Sequence, residues 1–307
     1  MRPSFRRLVL PFAAVALVGS CGKDPGPSED SPFTLELIWL GTLPNASTRS
    51  SFDAAGNTIR ATITAPLTTV AIPPTFTNLS QCGLNGHPDI ARDNIRGLRI
   101  YAVIEPIDSV GGTLGQAGPC LIRANDIPAL GIMRFDSWDV AALQSSGRLT
   151  RVVLHEMLHV LGFGTVWFDQ VLIDTVTNAS DARFLGENAR AACALTNGGA
   201  TQCAATVPVH SADGEGSRFS HWRESTFGNE LMTPFLSAGA TPYSATTIRS
   251  LADLGYQVTL DVADPYTLPG AALMASEAAP SLVTFPEPML PRWQLDGRGG
   301  MRPVRPR

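Results

Sequence analysis

The chemistry most easily read from this chain lies in His155-Glu156-Met157-Leu158-His159. Two histidines four apart on a helix stand on the same face, one above the other, so both imidazoles can reach a single metal ion. Glu156 follows His155 directly, where a carboxylate can act on a metal-bound water instead of binding the metal. That arrangement suits zinc-dependent hydrolysis, in which zinc lowers the pKa of its water and a carboxylate takes the proton. The plain alternative is a buried helix whose histidines only pack. Val152, Val153, Met157, Val160 and Leu161 make the segment apolar on most sides, which predicts burial. Two histidines and a glutamate in a buried helix need partners, and a metal supplies one. Gly162 is placed to end the helix in the left-handed conformation.

A site of this kind needs a third protein ligand. In the common extended spacing it would fall at position 165, which is Thr165, so it must come from further along. His87, His210 and His221 lie outside the motif, and Glu187 and Glu224 are acidic candidates. Spacing alone leaves the choice open.

The elements that must position these groups can be read in part. Phe33–Leu40 is rich in strand formers. Phe52, Ala55, Ile59 and Ile63 recur at helical spacing and predict a helix from Ser51 to Ile63. Residues 98–104 read as a buried strand, and Gly131–Asp136 as another. Residues 111–119, glycine-rich, read as a turn. A helix is expected over Ser137–Leu143, with Asp136 as cap and Asp139 as first-turn acid. The metal helix runs from about Thr150 to Leu161. A loop-rich stretch, 167–220, precedes a helix over Thr246–Leu254 and a short strand at Val258–Leu260. From Ala279 on, Pro, Arg and Gly dominate, and the tail 271–307 is expected to be disordered.

Composition bounds the setting. The 307 residues carry a formal charge of −4, and no basic stripe points to nucleic acid. Arg2, Arg6 and Arg7 precede an apolar run, Leu8–Val18, in the manner of a secretory signal over residues 1–20. Val18-Gly19-Ser20-Cys21 resembles a bacterial lipobox, so Cys21 is the expected lipidation site and residues 21–32 the tether. Export through that anchor implies a membrane partner and an outer-membrane or surface location; ordinary cleavage and secretion is the alternative. Four cysteines remain, an even number that suggests two disulfides in an exported chain. Of three pairings, Cys193–Cys203 with Cys82–Cys120 is favoured, because the first closes a short loop. Free thiols, or Cys82 as a latency ligand on the metal, are the other readings.

HEMLHVLGFGT at 155–165, HWRE at 221–224, ELMTP at 230–234 and SLADLGY at 250–256 together resemble the leishmanolysin family of metzincin metalloproteases. The resemblance implies an α+β metzincin-like zincin over residues 33–270. Its upper subdomain would hold a twisted sheet and helices, its lower one would be loop-rich, and a cleft would lie between about 33–162 and 163–270. It implies one Zn2+ per chain held by His155, His159 and His221, with Glu156 as general base and Met232 as the methionine of the turn beneath the metal. It also implies protein or peptide substrates, which could pair with an exposed edge strand; Gly131–Asp136 is the candidate edge. His87 and His210 are then ordinary loop residues. The reading from a different class is a surface adhesion module with a structural zinc site. A structural site closes all four positions with protein ligands, and only three are matched here.

Overall fold

A strand buried on both faces organises the molecule. The structure, a computed structural model, describes residues 32–87, 90–212, 217–237, 239–269, 283–285 and 288–304. Cys21, the signal segment and residues 270–282 lie outside them. In chain order the main elements are β1 (Leu35–Trp39), α1 (Ala46–Thr62), β2 (Leu98–Glu105), β3 (Gly115–Ile122), β4 (Pro128–Asp136), α2 (Val140–Ser145) and α3 (Leu149–Val160). Then come β5 (Ile173–Asp174), β6 (Arg183–Phe184), α4 (Glu187–Leu195), α5 (Gly199–Gln202), β7 (Val207–Pro208), α6 (Glu224–Phe227), β8 (Phe235–Leu236) and α7 (Ala245–Asp253). The described residues close with β9 (Val283–Thr284), β10 (Trp293–Leu295) and β11 (Met301–Pro303).

The main sheet has the order β1-β2-β4-β3-β10-β11, with β1, β2 and β4 parallel and β3 antiparallel to β4. Successive side chains of a strand point to opposite faces. Leu98, Ile100 and Ala102 of β2, with Met133 and Phe135 of β4, therefore enter the core shared with α1 and α3. Tyr101, Val103, Leu130 and Ile132 enter a second core with Phe76, Leu79 and Leu84. Coverage on both faces explains why β2 and β4 read as continuous apolar runs. The Cys82–Cys120 disulfide staples the second core to β3, and Cys193–Cys203 joins α4 to the end of α5. Among the described residues no helix is long and apolar enough to cross a membrane.

The structure departs from the sequence reading in several places. α1 begins before Ser51, because Asn45 accepts the Thr48 amide at 2.9 Å and caps the helix there. The added turn is polar and carried no apolar period. Residues 115–119 are not a turn but the first half of β3. Glycines 115 and 118 and Pro119 lack strand propensity, and the backbone approaches there have no signal in composition. α2 starts later than expected, with Asp139 at its N-cap position, and neither Asp136 nor Asp139 gives it a side-chain cap. Their carboxylates accept the amides of Asp108, Trp138 and Gly111 (2.8–3.0 Å) and so hold the 108–111 loop. Gly131–Asp136 is not an edge: β4 is paired with β2 on one side and β3 on the other, and β3 in turn pairs with β10. Val258 makes only an isolated bridge to Ile63. The tail, expected to be disordered, contributes β10 and β11 in its described part.

Candidate metal centre

α3 packs against β3 and β4 and is buried from Val152 to Val160. Its apolar positions seat it against the sheet, which points His155 and His159 toward the region of the chain after position 162. The turn there is made by Gly162 (φ 111°) and Gly164 (φ 72°). A Cβ on Gly164 would lie 2.2 Å from the Ser220 carbonyl oxygen. The glycine thus lets this turn close on the segment that carries His221. Trp222 is wholly buried among Phe163, Trp167, Phe184 and Phe227. Its indole N–H donates to Thr247 Oγ1 at 2.8 Å. His221 is therefore set by the packing of its neighbour on either side.

The three histidines converge. Nε2 of His155 lies 3.1 Å from that of His159 and 3.2 Å from that of His221, and His159 and His221 are 3.1 Å apart. Among the described residues they form the only group of three or more potential metal ligands of this kind, and all three are buried. Each Nδ1 faces a carbonyl: Leu231 O at 2.7 Å for His155, Phe163 O at 2.9 Å for His159 and Ser217 O at 3.1 Å for His221. A carbonyl only accepts, so each Nδ1 carries the proton and each Nε2 presents a lone pair. Three lone pairs aimed at one point repel each other unless a cation lies between them. The nitrogens of a tetrahedral zinc site with ordinary Zn–N distances stand about 3.3 Å apart. The donor set therefore fits zinc in chemistry and spacing. Carbonyl contacts of this kind are the usual means of orienting a metal-binding histidine.

Electrostatics agree with that fit. Burial is the main cause that lowers the pKa of all three: His159 falls to about 4, while His155 and His221 fall well below 6.5, helped by their neighbours' charge. All three are neutral at pH 7, as metal ligation requires. Burial raises Glu156 to about 8, so without a cation it holds its proton at neutral pH. A nearby positive charge favours the ionised form.

The turn after His221 is held from inside. Glu230 is buried, and its carboxylate accepts from Met232 N (2.6 Å), Ser244 N (3.2 Å), Ser244 Oγ (2.6 Å) and Thr247 Oγ1 (2.5 Å). Thr247 Oγ1 is also the acceptor for Trp222, and Trp222 N donates to Met232 O at 2.9 Å. One carboxylate thus ties together the His221 segment, α7 and the turn holding Leu231 and buried Met232. Glu230 carries little sequence signal for this role: it is an acid standing directly before Leu231-Met232. The carbonyls behind the imidazoles carry no sequence signal at all.

The other candidates stand apart. His87 lies 3.8 Å from Glu105, and Glu187 pairs with Arg190 in the first turn of α4. Glu224 opens α6 and is not in the cluster. His210 meets the His221 segment through its backbone, donating its N–H to His221 O at 2.9 Å and accepting from Phe219 N at 2.8 Å, but does not join the cluster.

Comparison with known proteins gives one family. Residues 94–273 match the family model described as leishmanolysin, more than half of the chain. The chain is 27% identical over 168 residues to leishmanolysin of Leishmania donovani, covering 53% of this chain and 28% of that protein. It is 28% identical over 157 residues to leishmanolysin of Leishmania major, covering 50% and 26%. A leishmanolysin homolog of Crithidia fasciculata is 26% identical over 150 residues, covering 47% and 22%. The match spans less than a third of these relatives' length. With the metal centre inside the matched region, the chain belongs to the leishmanolysin family.

Proposed function

We propose that this chain is a zinc-dependent endopeptidase acting on protein or peptide substrates. The observation that carries this reading is the convergence of three neutral imidazole nitrogens, two of them on the helix that also carries the buried Glu156. His155, His159 and His221 are the proposed ligands, for one Zn2+ per chain, and Met232 the methionine of the turn below them. When bound, zinc would lower the pKa of a water and polarise the scissile carbonyl. A Glu156 carboxylate oxygen takes the proton of the attacking water and returns it to the leaving nitrogen. The carbonyls of Leu231, Phe163 and Ser217 hold the imidazoles in the tautomer that keeps Nε2 free.

In this reading residues 33–270 form the protease domain, divided at the end of α3 into an upper, sheet-bearing part and a lower, loop-rich part with the cleft between them. The N-terminal segment exports the chain and Cys21 anchors it by lipid at the outer membrane or cell surface. Nucleic acid is not a partner. The test is Glu156→Gln in the zinc-loaded chain. Turnover on unfolded casein should fall at least about a hundredfold with zinc content unchanged; full activity would remove Glu156 from the proposed role.

A further inference from the structure

The chain's own C-terminal segment covers the metal centre and the outer edge of β3. Phe285 is 2% exposed and lies flat on the His155 ring, with centroids 3.7 Å and planes 10° apart. Its amide donates to Pro234 O at 2.9 Å, and β9 just before it pairs antiparallel with β8, which follows the Met232 turn. Met289 N then donates to Ala117 O at 2.8 Å, and Arg292 N to Cys120 O at 3.1 Å. Two acceptors along β3, the carbonyls of Ala117 and Cys120, are thus already taken. A Cβ on Gly118 would lie 1.8 Å from Met289 O, so the absence of a side chain there is what admits the segment. Four residue steps separate Phe285 from Met289. The Cα atoms of Phe285 and Met289 therefore lie within about 14 Å of each other, so one short stretch of chain serves both the ring on His155 and the rim at Ala117.

The two halves of the segment are fastened differently. Beyond Arg292, β10 pairs with β3, Trp293 Nε1 donates to Gln81 O at 3.0 Å, and Gln294 Nε2 donates to Asp126 Oδ1 at 2.5 Å. Leu295 is buried in the second core. Among the described residues the half nearer the metal is held by the Phe285 stack and its place in the main core, the two-residue β8–β9 pairing, the packing of Met289 on the second core, and the Phe285, Met289 and Arg292 amides. An extended peptide binds a sheet edge by using its free N–H and C=O groups. Beside α3 it would need the groups that Met289 and Arg292 now occupy.

We propose that the described residues 283–285 and 288–295 are a built-in competitor for the peptide groove: a strap anchored at β10, whose part before β10 a substrate must displace to reach the metal centre. The inference rests on the peptidase reading. The strap lies beyond residue 273, where the family match ends. Its tether keeps the competitor at high local concentration, and modest contacts suffice to hold the groove closed.

The test uses the zinc-loaded full chain and a trialanyl hydroxamate as the groove ligand. Hydrogen exchange should show that saturation with the hydroxamate removes protection from 283–292 while 293–304 keeps it. Unchanged or increased protection of 283–292 would make the segment a fixed wall and overturn the proposal. In the full-length double variant F285A/M289P, which removes the stacked ring and one strap amide, hydroxamate should bind about tenfold tighter. The KM for casein peptides should fall, with kcat little changed. Equal or weaker binding at unchanged zinc content would also overturn the proposal. Loss of strap protection and tighter binding without any peptide cleavage would uphold the strap and refute the peptidase reading.

Discussion

Replacing Glu230 with glutamine tests how the metal centre is held, because the change removes charge and little else. The carboxylate accepts four hydrogen bonds, three at Oε1 and one, from Met232 N, at Oε2. A glutamine that keeps its oxygen at Oε1 turns its NH2 toward the Met232 amide, donor against donor. Flipped, it opposes the Ser244 amide instead. Either way a buried N–H loses its acceptor, which costs about 1–3 kcal/mol. Glu230→Ala strands every donor and should cost more, about 3–5 kcal/mol. The damage reaches the site because Leu231 O, in the same turn, orients His155 at 2.7 Å. Loss of such outer support weakens metal binding about 10–100-fold. The assays are urea unfolding of the metal-free chain and zinc competition against a fluorescent chelator. Glu230→Gln should lower the unfolding midpoint with an unchanged slope and weaken zinc by at least about tenfold. A variant with the wild-type midpoint and wild-type zinc affinity would refute the assignment of Glu230 as the tie between the turn and the histidines.

Other outcomes follow from the same structure. In the metal-free chain the histidines' folded pKa values are depressed, so stability present above 6.5 is lost as pH falls; His159, lowered from 6.5 to about 4, accounts for about 3 kcal/mol of that. Glu156 has the opposite sign: its folded pKa is raised from 4.5 to about 8, so stability is lost as pH rises, by about 1.5 kcal/mol between pH 6.5 and 8. Urea unfolding of the chelated chain should therefore show a maximum near pH 6.5, and a steady rise through pH 8 would contradict the buried, protonated Glu156. Removing the Cys82–Cys120 disulfide, with its sequence separation of 38, by C82S/C120S should cost about 4 kcal/mol in thermal or urea unfolding. A loss below about 1 kcal/mol would mean the second core holds β3 without it.

The parts of the account that were legible in the sequence share a property: their signal is local. α3 announces itself through a five-residue chemical pattern in an apolar helix, and β2 and β4 through apolar runs that only double burial explains. α7 shows the spacing of Ile248, Leu251 and Leu254. The disulfide pairing followed from loop length and the even number of cysteines after residue 21. What stayed hidden depends on approaches between distant residues. β3 is built from glycine and proline where another backbone comes close, so composition reads as a turn what pairing makes a strand. The interior position of β4 is a matter of strand order, which its own residues do not encode. Glu230 binds groups up to 17 residues away, and Phe285 meets His155 across 130 positions. His221 was one candidate among several by spacing; resemblance singled it out, and the meeting of the three imidazoles is its geometric counterpart.

The central claim is that three histidines and a glutamate make one hydrolytic zinc site, and zinc content with peptide cleavage tests it most directly. The full chain and its His221→Ala variant would be measured for zinc per chain and for cleavage of unfolded casein, with and without o-phenanthroline. The account predicts one zinc per wild-type chain, cleavage abolished by the chelator and restored by added zinc, and a variant lacking both zinc and cleavage. A His221→Ala chain that keeps its zinc, or cleavage indifferent to the chelator, would contradict it.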